Sequence, residues 1–304
     1  MFCRYNILFS QSKNNNIPFQ IFFTKMQFQH SIVGELFKKD YRISRDTLLE
    51  IKNLGLEVEK DLLAIVDDAI KNPDDYSDEV EDDKGGFAPM HAILLLREIK
   101  SKEVAKRVIQ MLQGDVLEMD RVFYPDFLTE EVWTFICHLG HQEIDTCKKI
   151  LFEGNADVYA RVAISTGLAQ LAVHYPEHRE KVMQIFTKLL DFILSDESMA
   201  AFDEEEGIFG DDPDFEADIE FISNFACDLL DLDAKEKRKE LDALFDNGLI
   251  DEEILEESKA VFKKNQMSYK DILEIYRDME VGENAELIED EEDEDEPKVK
   301  KMKD

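Results

Sequence analysis

The chain has 304 residues, 44% of them hydrophobic, enough to bury a sizeable core and too many for a disordered polymer. Against 36 basic residues stand 70 acidic ones, a net charge of −34 that repels phosphate backbones and argues against nucleic-acid binding. Only 7 Pro and 12 Gly occur, too few turn residues for a many-stranded sandwich and a supply that suits helices.

Residues 1–43 read as an N-terminal extension, disordered in part. Phe2 to Phe23 is rich in Phe and Ile, but Gln11, Lys13 and Asn14 to Asn16 interrupt it, so the continuous apolar run of a secretory signal is missing. Met26 is an alternative start. No apolar run reaches the roughly 18 residues that a bilayer crossing needs. Cys3, Cys137, Cys147 and Cys227 form no CxxC pair, and three lie in apolar helical stretches, the pattern of free thiols in a reducing, cytoplasmic setting.

The helical domain is predicted over 44–280. Ser44 to Asn53 is its first helix, ending near Gly55. Leu56 to Lys71 follows, with Leu62, Leu63, Ile65, Val66, Ala69 and Ile70 at three- and four-residue spacing. Asn72-Pro73 stops it. Asp74 to Gly86 is an acidic linker whose spacing lacks the Gly and final Glu of a calcium loop. The next helix, from Ala88, is apolar nearly all round and so reads as buried. After a corner, Ser101 caps a striped helix through Leu112.

The pattern returns. Phe127 to Leu139, the corner Gly140-His141-Gln142, and Ile144 to Leu151 form a second pair. Glu98 to Val104 aligns with His138 to Ile144 at an offset of 40 residues with no gap. Asp157 to His174 and Glu177 to Leu194 are a third pair. Asp218 to Asp231 and Ala234 to Asn247, with Asp233 and Glu236 as a capping box, are a fourth. Between the last two pairs Ser195 to Phe215 is an irregular acidic insertion whose Phe202, Ile208 and Phe209 are read first as pinning it to the body and otherwise as meeting a partner. Helices over Glu252 to Phe262 and Ser268 to Met279, the latter capped by Ser268 with Asp271, complete the fold. Residues 281–304 are a disordered tail of eight consecutive acids, Glu289 to Glu296, and then lysines. An apolar helix, a polar corner and an amphipathic helix, repeated at about 40 residues, predict an all-α, HEAT-like solenoid of about four stacked pairs.

ProMetHisAlaIleLeuLeuLeuArgGluIle at 89–99, AspPheLeuThrGluGlu at 126–131 and AlaLeuPheAspAsnGlyLeuIleAsp at 243–251 carry a family resemblance. Over roughly residues 45–265 the chain resembles the uncharacterised bacterial family named domain of unknown function 1186. The resemblance implies a helical-repeat protein with no assigned reaction. Members often carry a C-terminal SEC-C metal module of cysteines and a histidine; here no cysteine follows Cys227, so no tail zinc site is carried over.

No nucleophile elbow, phosphate loop or dinucleotide fingerprint is present. Cys137, His138, His141 and Cys147 have the right types for zinc, but the cysteines fall on apolar helix faces where they pack as small hydrophobes. His174 and His178 are four apart with Pro176 breaking the helix between them. His91, His138 and His141 remain the candidates for lining a pocket, with no catalytic residue, metal or cofactor assigned. The composition favours a non-catalytic protein-interaction or scaffold module whose acidic surface takes a basic partner. The alternatives are an enzyme or lyase-like binder of a small molecule within the repeat, or an acidic mimic of nucleic acid.

Overall fold

The computed structural model describes residues 26–76, 84–114, 126–153, 156–203 and 215–280, with Met119, Val122, Phe123, Ile208 and Phe209 between them. Most of the acidic linker and the whole acidic tail lie outside these residues. Among the described residues every regular element is helical, so the protein is all-α.

Helix α1 (Arg45–Asn53) is capped by the Ser44 hydroxyl, which accepts from the Thr47 amide. Gly55, at φ +59°, turns the chain out of it. A 3-10 turn, Gly55–Glu57, delays α2 (Glu59–Lys71), which buries Leu62, Ile65, Val66 and Ala69. Helix α3 (Ala88–Glu98) is buried from Ala88 through Arg97, as its unbroken apolar run predicts. Helix α4 (Lys102–Met111) buries the single stripe Val104, Ala105, Val108 and Ile109, and Ser101 caps it through the Val104 amide.

Between them Lys100 takes a left-handed φ of +59°, and the Ser101 N–H donates to the Leu96 carbonyl at 2.9 Å. The corner 40 residues on is built differently, with Gly140 at φ −87°. The aligned corners therefore share sequence and position but not backbone conformation. The helix predicted from Phe127 breaks at Glu131 into a short turn, Phe127–Glu130, and α5 (Val132–Leu139). Helix α6 (Ile144–Leu151) follows, and then α7 (Val158–His174), where the Asp157 carboxylate caps Tyr159 and Ala160.

Helix α8 (Arg179–Ile193) completes that pair. The insertion after it is not irregular throughout. Ser195 accepts from the Ser198 amide and starts α9 (Asp196–Asp203). Beyond α9, Phe209 packs its ring 5.4 Å from Phe192 and 5.3 Å from Phe221, with the Arg161 guanidinium 4.6 Å above it. Ile208 and Phe209 thus pin this stretch. Helices α10 (Phe215–Asp231) and α11 (Arg238–Asp246) form the last pair. The capping box expected between them does not form. Asp233 sits at φ +55° and closes α10, with the Ala234 N–H on the Leu229 carbonyl, so its geometry is that of a helix end and not a start.

Packing follows the pairs: α2 lies on α3, α4 on α5, α5 on α7, and α7 on α10. The body also begins before residue 44. Val33, Leu36, Tyr41 and Ile43 belong to the same core, and the Asp61 carboxylate takes the Gln29 and His30 amides.

The C-terminal end departs most from the sequence reading. Glu252 to Phe262 holds one 3-10 turn, Glu257–Lys259, and 260–271 carries no regular element. Lys263 and Asn265 donate their amides to Leu230 and Asp231 carbonyls of α10, so these main-chain groups are satisfied without a helix. Helix α12 (272–280) starts after Asp271, not Ser268. The Asp271 carboxylate accepts from Leu273 and Glu274, and Glu274 accepts the Asp271 N–H in return.

Close approach of α5 and α7 rests on Gly167. A Cβ there would lie 2.6 Å from Ile136 Cβ. Helix propensity alone favours Gly167→Ala by about 1 kcal/mol, whereas overpacking costs about 1–3 kcal/mol. Urea unfolding of G167A should show a net loss of up to about 2 kcal/mol, and in an Ile136→Ala background the same change should become neutral or stabilising.

Candidate functional site

Residues 260–276 run as a strap back across the body, over α10, α7, α5 and α3 in turn. On α7, Gln170 grips its main chain twice: the side-chain amide donates to the Asn265 carbonyl at 3.0 Å, and the side-chain oxygen accepts the Met267 N–H at 2.9 Å. One turn later the His174 Nε2–H donates to the Met267 carbonyl at 2.9 Å. Arg97 of α3 donates to the Lys270 carbonyl at 2.7 Å and lies under the Tyr269 ring, 4.7 Å from its centroid. Only 2% of Arg97 is exposed, and Glu131 and Thr134 satisfy its other terminal nitrogen.

His91 is where the strap ends. It is wholly buried, its Nε2–H donates to the Lys39 carbonyl at 3.0 Å, and its Nδ1 takes the Tyr276 hydroxyl. Burial pushes its pKa from 6.5 down to about 4, against the smaller opposing effects of the Lys39 bond and Asp40. Both nitrogens are used in holding chain segments, so His91 lines no pocket.

His138 and His141, the other two predicted residues, are brought together with His174 and His178 at the corner ends of α5 and α7. The ring centroids of His138 and His174 are 4.9 Å apart, and so are those of His141 and His178. Pro176 does keep His174 and His178 off one helix, but each then meets a different histidine. The His141 Nε2–H donates to the Cys137 carbonyl at 3.1 Å. His138 Nδ1 lies 3.2 Å from Tyr175 Oη, while its Nε2 is buried with no protein partner. Burial, with the charges of His174 and Arg97 adding, lowers His138 to about 4.

Cys147 is not in this group. It is wholly buried in the core on α6, and burial raises both it and Cys137 to about 12, so each rests as a thiol at neutral pH. The role of His174 was hidden in the sequence, because its partners Gln266 and Met267 lie more than 90 positions away. A separate cavity of about 490 Å³ opens between α2 and α4, over Ile70, Met111 and Phe123 and beside the Asp67–Arg107 ion pair. None of His91, His138 and His141 lines it.

The family description that matches residues 30–204 is "Protein of unknown function (DUF1186)". The chain belongs to this family. The DUF1186 region contains Arg97, Gln170 and all the histidines named above, while the strap lies beyond its last matched residue. No curated protein and no solved structure matches the chain. Among the described residues no helix is long and apolar enough to cross a membrane.

Two buried groups give the protein opposite acid responses. His91 is neutral when folded, so between pH 6.5 and about 4 the unfolded chain binds the extra proton and stability falls as pH falls. The loss is about 3 kcal/mol, read by urea unfolding across that range, and His91→Phe should lose this slope while being less stable at neutral pH. Asp228, wholly buried and bonded by Ser165 and Thr166, is raised from 3.8 to about 7 by burial. There the folded state keeps the proton longer, so stability is lost as pH rises through 7. Asp228→Asn should stabilise by up to about 4 kcal/mol at pH 8 and much less at pH 4.

Proposed function

We propose that the protein is a non-catalytic interaction module of the HEAT-like, stacked-pair kind, whose strap-covered face takes an extended basic segment of a partner. The strap is the observation that carries this. From Lys259 to Lys270 the chain has four lysines and no acid, in a molecule of net charge −34. Gln170, His174 and Arg97 hold this segment by its main chain, a mode of recognition that another extended peptide of similar charge would satisfy. Lys270 is held charged by its bond to Asp278, with Glu130 and Glu131 adding to the effect. Asp231 accepts from the Asn265 side chain. The face therefore already accommodates the chemistry that an acidic body would select in a partner.

The enzyme reading draws less support. Cys137, Cys147 and Cys227 are free thiols raised to about 12, and the cavity between α2 and α4 is lined by neither His nor Cys. Free, unreactive thiols also suit the cytoplasm.

A labelled peptide with the sequence of residues 256–280, titrated into the full-length protein and read by fluorescence anisotropy, tests the proposal. Binding should saturate at one peptide per chain and weaken as salt rises. It should vanish when the peptide lysines are replaced by Glu. Tyr269→Ala, which loosens the strap at a partly exposed residue, should strengthen it. No saturable binding to either the intact chain or the Tyr269→Ala variant would sink the proposal.

A further inference from the structure

The interaction reading uses one ring nitrogen of His174 and leaves the rest of a cluster unused at the corner where α5 ends beside α7. Cys137, His138 and His174 each bring one ligand atom to within 4.8 Å of the other two. Cys137 Sγ lies 3.8 Å from His138 Nδ1. Donor atoms around a tetrahedral zinc ion, bound at about 2.0 Å to nitrogen and 2.3 Å to sulfur, are roughly 3.5 Å apart. Closing this set on an ion asks for movements of about 1 Å, within what side chains at a half-buried corner accommodate.

Tautomers decide which nitrogens are available. The Met267 carbonyl only accepts, so His174 carries its proton on Nε2 and presents a lone pair at Nδ1. That lone pair meets the side-chain amide of Gln266, an exposed contact at 3.1 Å that an incoming ion displaces. A backbone carbonyl on the far ring N–H is the arrangement that orients metal-binding histidines. His141 plays a related part, its Nε2–H holding the carbonyl of Cys137 itself. His138 has a buried Nε2 that no protein group bonds, and buried polar atoms in that state are rare.

The geometry points to a binding site for a zinc-class divalent ion, held by Cys137 Sγ, a ring nitrogen of His138 and His174 Nδ1. A fourth position lies beside Tyr175 Oη, 3.2 Å from His138 Nδ1. One thiolate with two imidazoles selects zinc and the other late first-row ions over calcium or magnesium, which want oxygen ligands. On binding, the thiol releases its proton to solvent as the sulfur–metal bond forms, and the Gln266 amide passes to water. The Met267 bond to His174 stays in place, so this inference does not depend on the peptide reading.

The full-length protein, stripped with a chelator, is titrated with Co²⁺ and then Zn²⁺. One Co²⁺ per chain should bind, with a near-ultraviolet thiolate charge-transfer band and the visible bands of a tetrahedral ion, and Zn²⁺ should displace it. Cys137→Ser should abolish the charge-transfer band and Cys147→Ser should leave it. His174→Ala should weaken Zn²⁺ binding at least tenfold, and Gln266→Ala should preserve or tighten it. Should His174→Ala fail to fold, the contrast between the two cysteine variants decides alone. Absence of a thiolate band in the wild type, or a band that survives Cys137→Ser, overturns the assignment.

Discussion

The buried imidazole of His91 holds two remote pieces of chain at once, the Lys39 carbonyl 52 positions before it and the Tyr276 hydroxyl 185 positions after. From α2 to α10 the body joins neighbouring helices, α2 on α3 and α4 on α5, through the packing of α5 on α7 and α7 on α10. The segments at the two ends also close onto α3 through long-range contacts. Burying Ile272, Ile275 and Tyr276 contributes about 2 kcal/mol for each side chain. Each hydrogen bond contributes about 1 kcal/mol net. Apolar contact therefore holds α12 against the body, and the His91 bonds fix where along α3 it sits. A protonated His91 would turn its Nδ1–H on the Tyr276 oxygen and leave that buried hydroxyl proton without its acceptor, which is why its neutrality and the closure of the fold are one constraint.

Much of the body was legible because its signals are local. Ser101 caps the helix that its position predicts, Ser44 and Asp157 lie where the spans predicted to begin at them start, and the apolar run from Ala88 and the stripe Val104–Ile109 are buried as their periodicity requires. What failed was also local. Asp233 and Glu236 have the spacing of a capping box, yet Asp233 is spent on ending α10. A short polar side chain at a corner serves either role, and sequence spacing does not say which. The insertion looked irregular because its acids mask the helix Asp196–Asp203, whose start is a Ser195 cap.

The strap was illegible for a different reason. Apolar spacing alone ends one helix at Phe262 and starts another at Ser268, with only a short link between these two segments. Their backbone instead finds carbonyls of α10 and the side chains of Gln170 and Arg97, none of them near in sequence. The same distance hid the histidine cluster. Four histidines spread over 41 positions meet only because two corners, 140–143 and 175–178, stack on each other. Of the three histidines singled out in the sequence, one proved to be a clasp and two belong to that cluster.

Arg97 sets the terms on which anything could replace the strap. It is a buried charge whose desolvation is offset by Glu131, Thr134, the Lys270 carbonyl and the faces of Tyr269 and Phe135. Two of those five partners come from the strap. Lifting the strap alone would leave guanidinium donors facing water across an apolar rim, a partial loss that solvent repays because the face then opens. A partner segment that displaced it would have to return a main-chain carbonyl and, for full compensation, an aromatic ring at the same place. Gln170, some distance along the face on α7, asks for one carbonyl and one N–H two residues apart in an extended chain. These requirements are main-chain spacing, one ring and positive charge, and they define a peptide class more narrowly than net charge does.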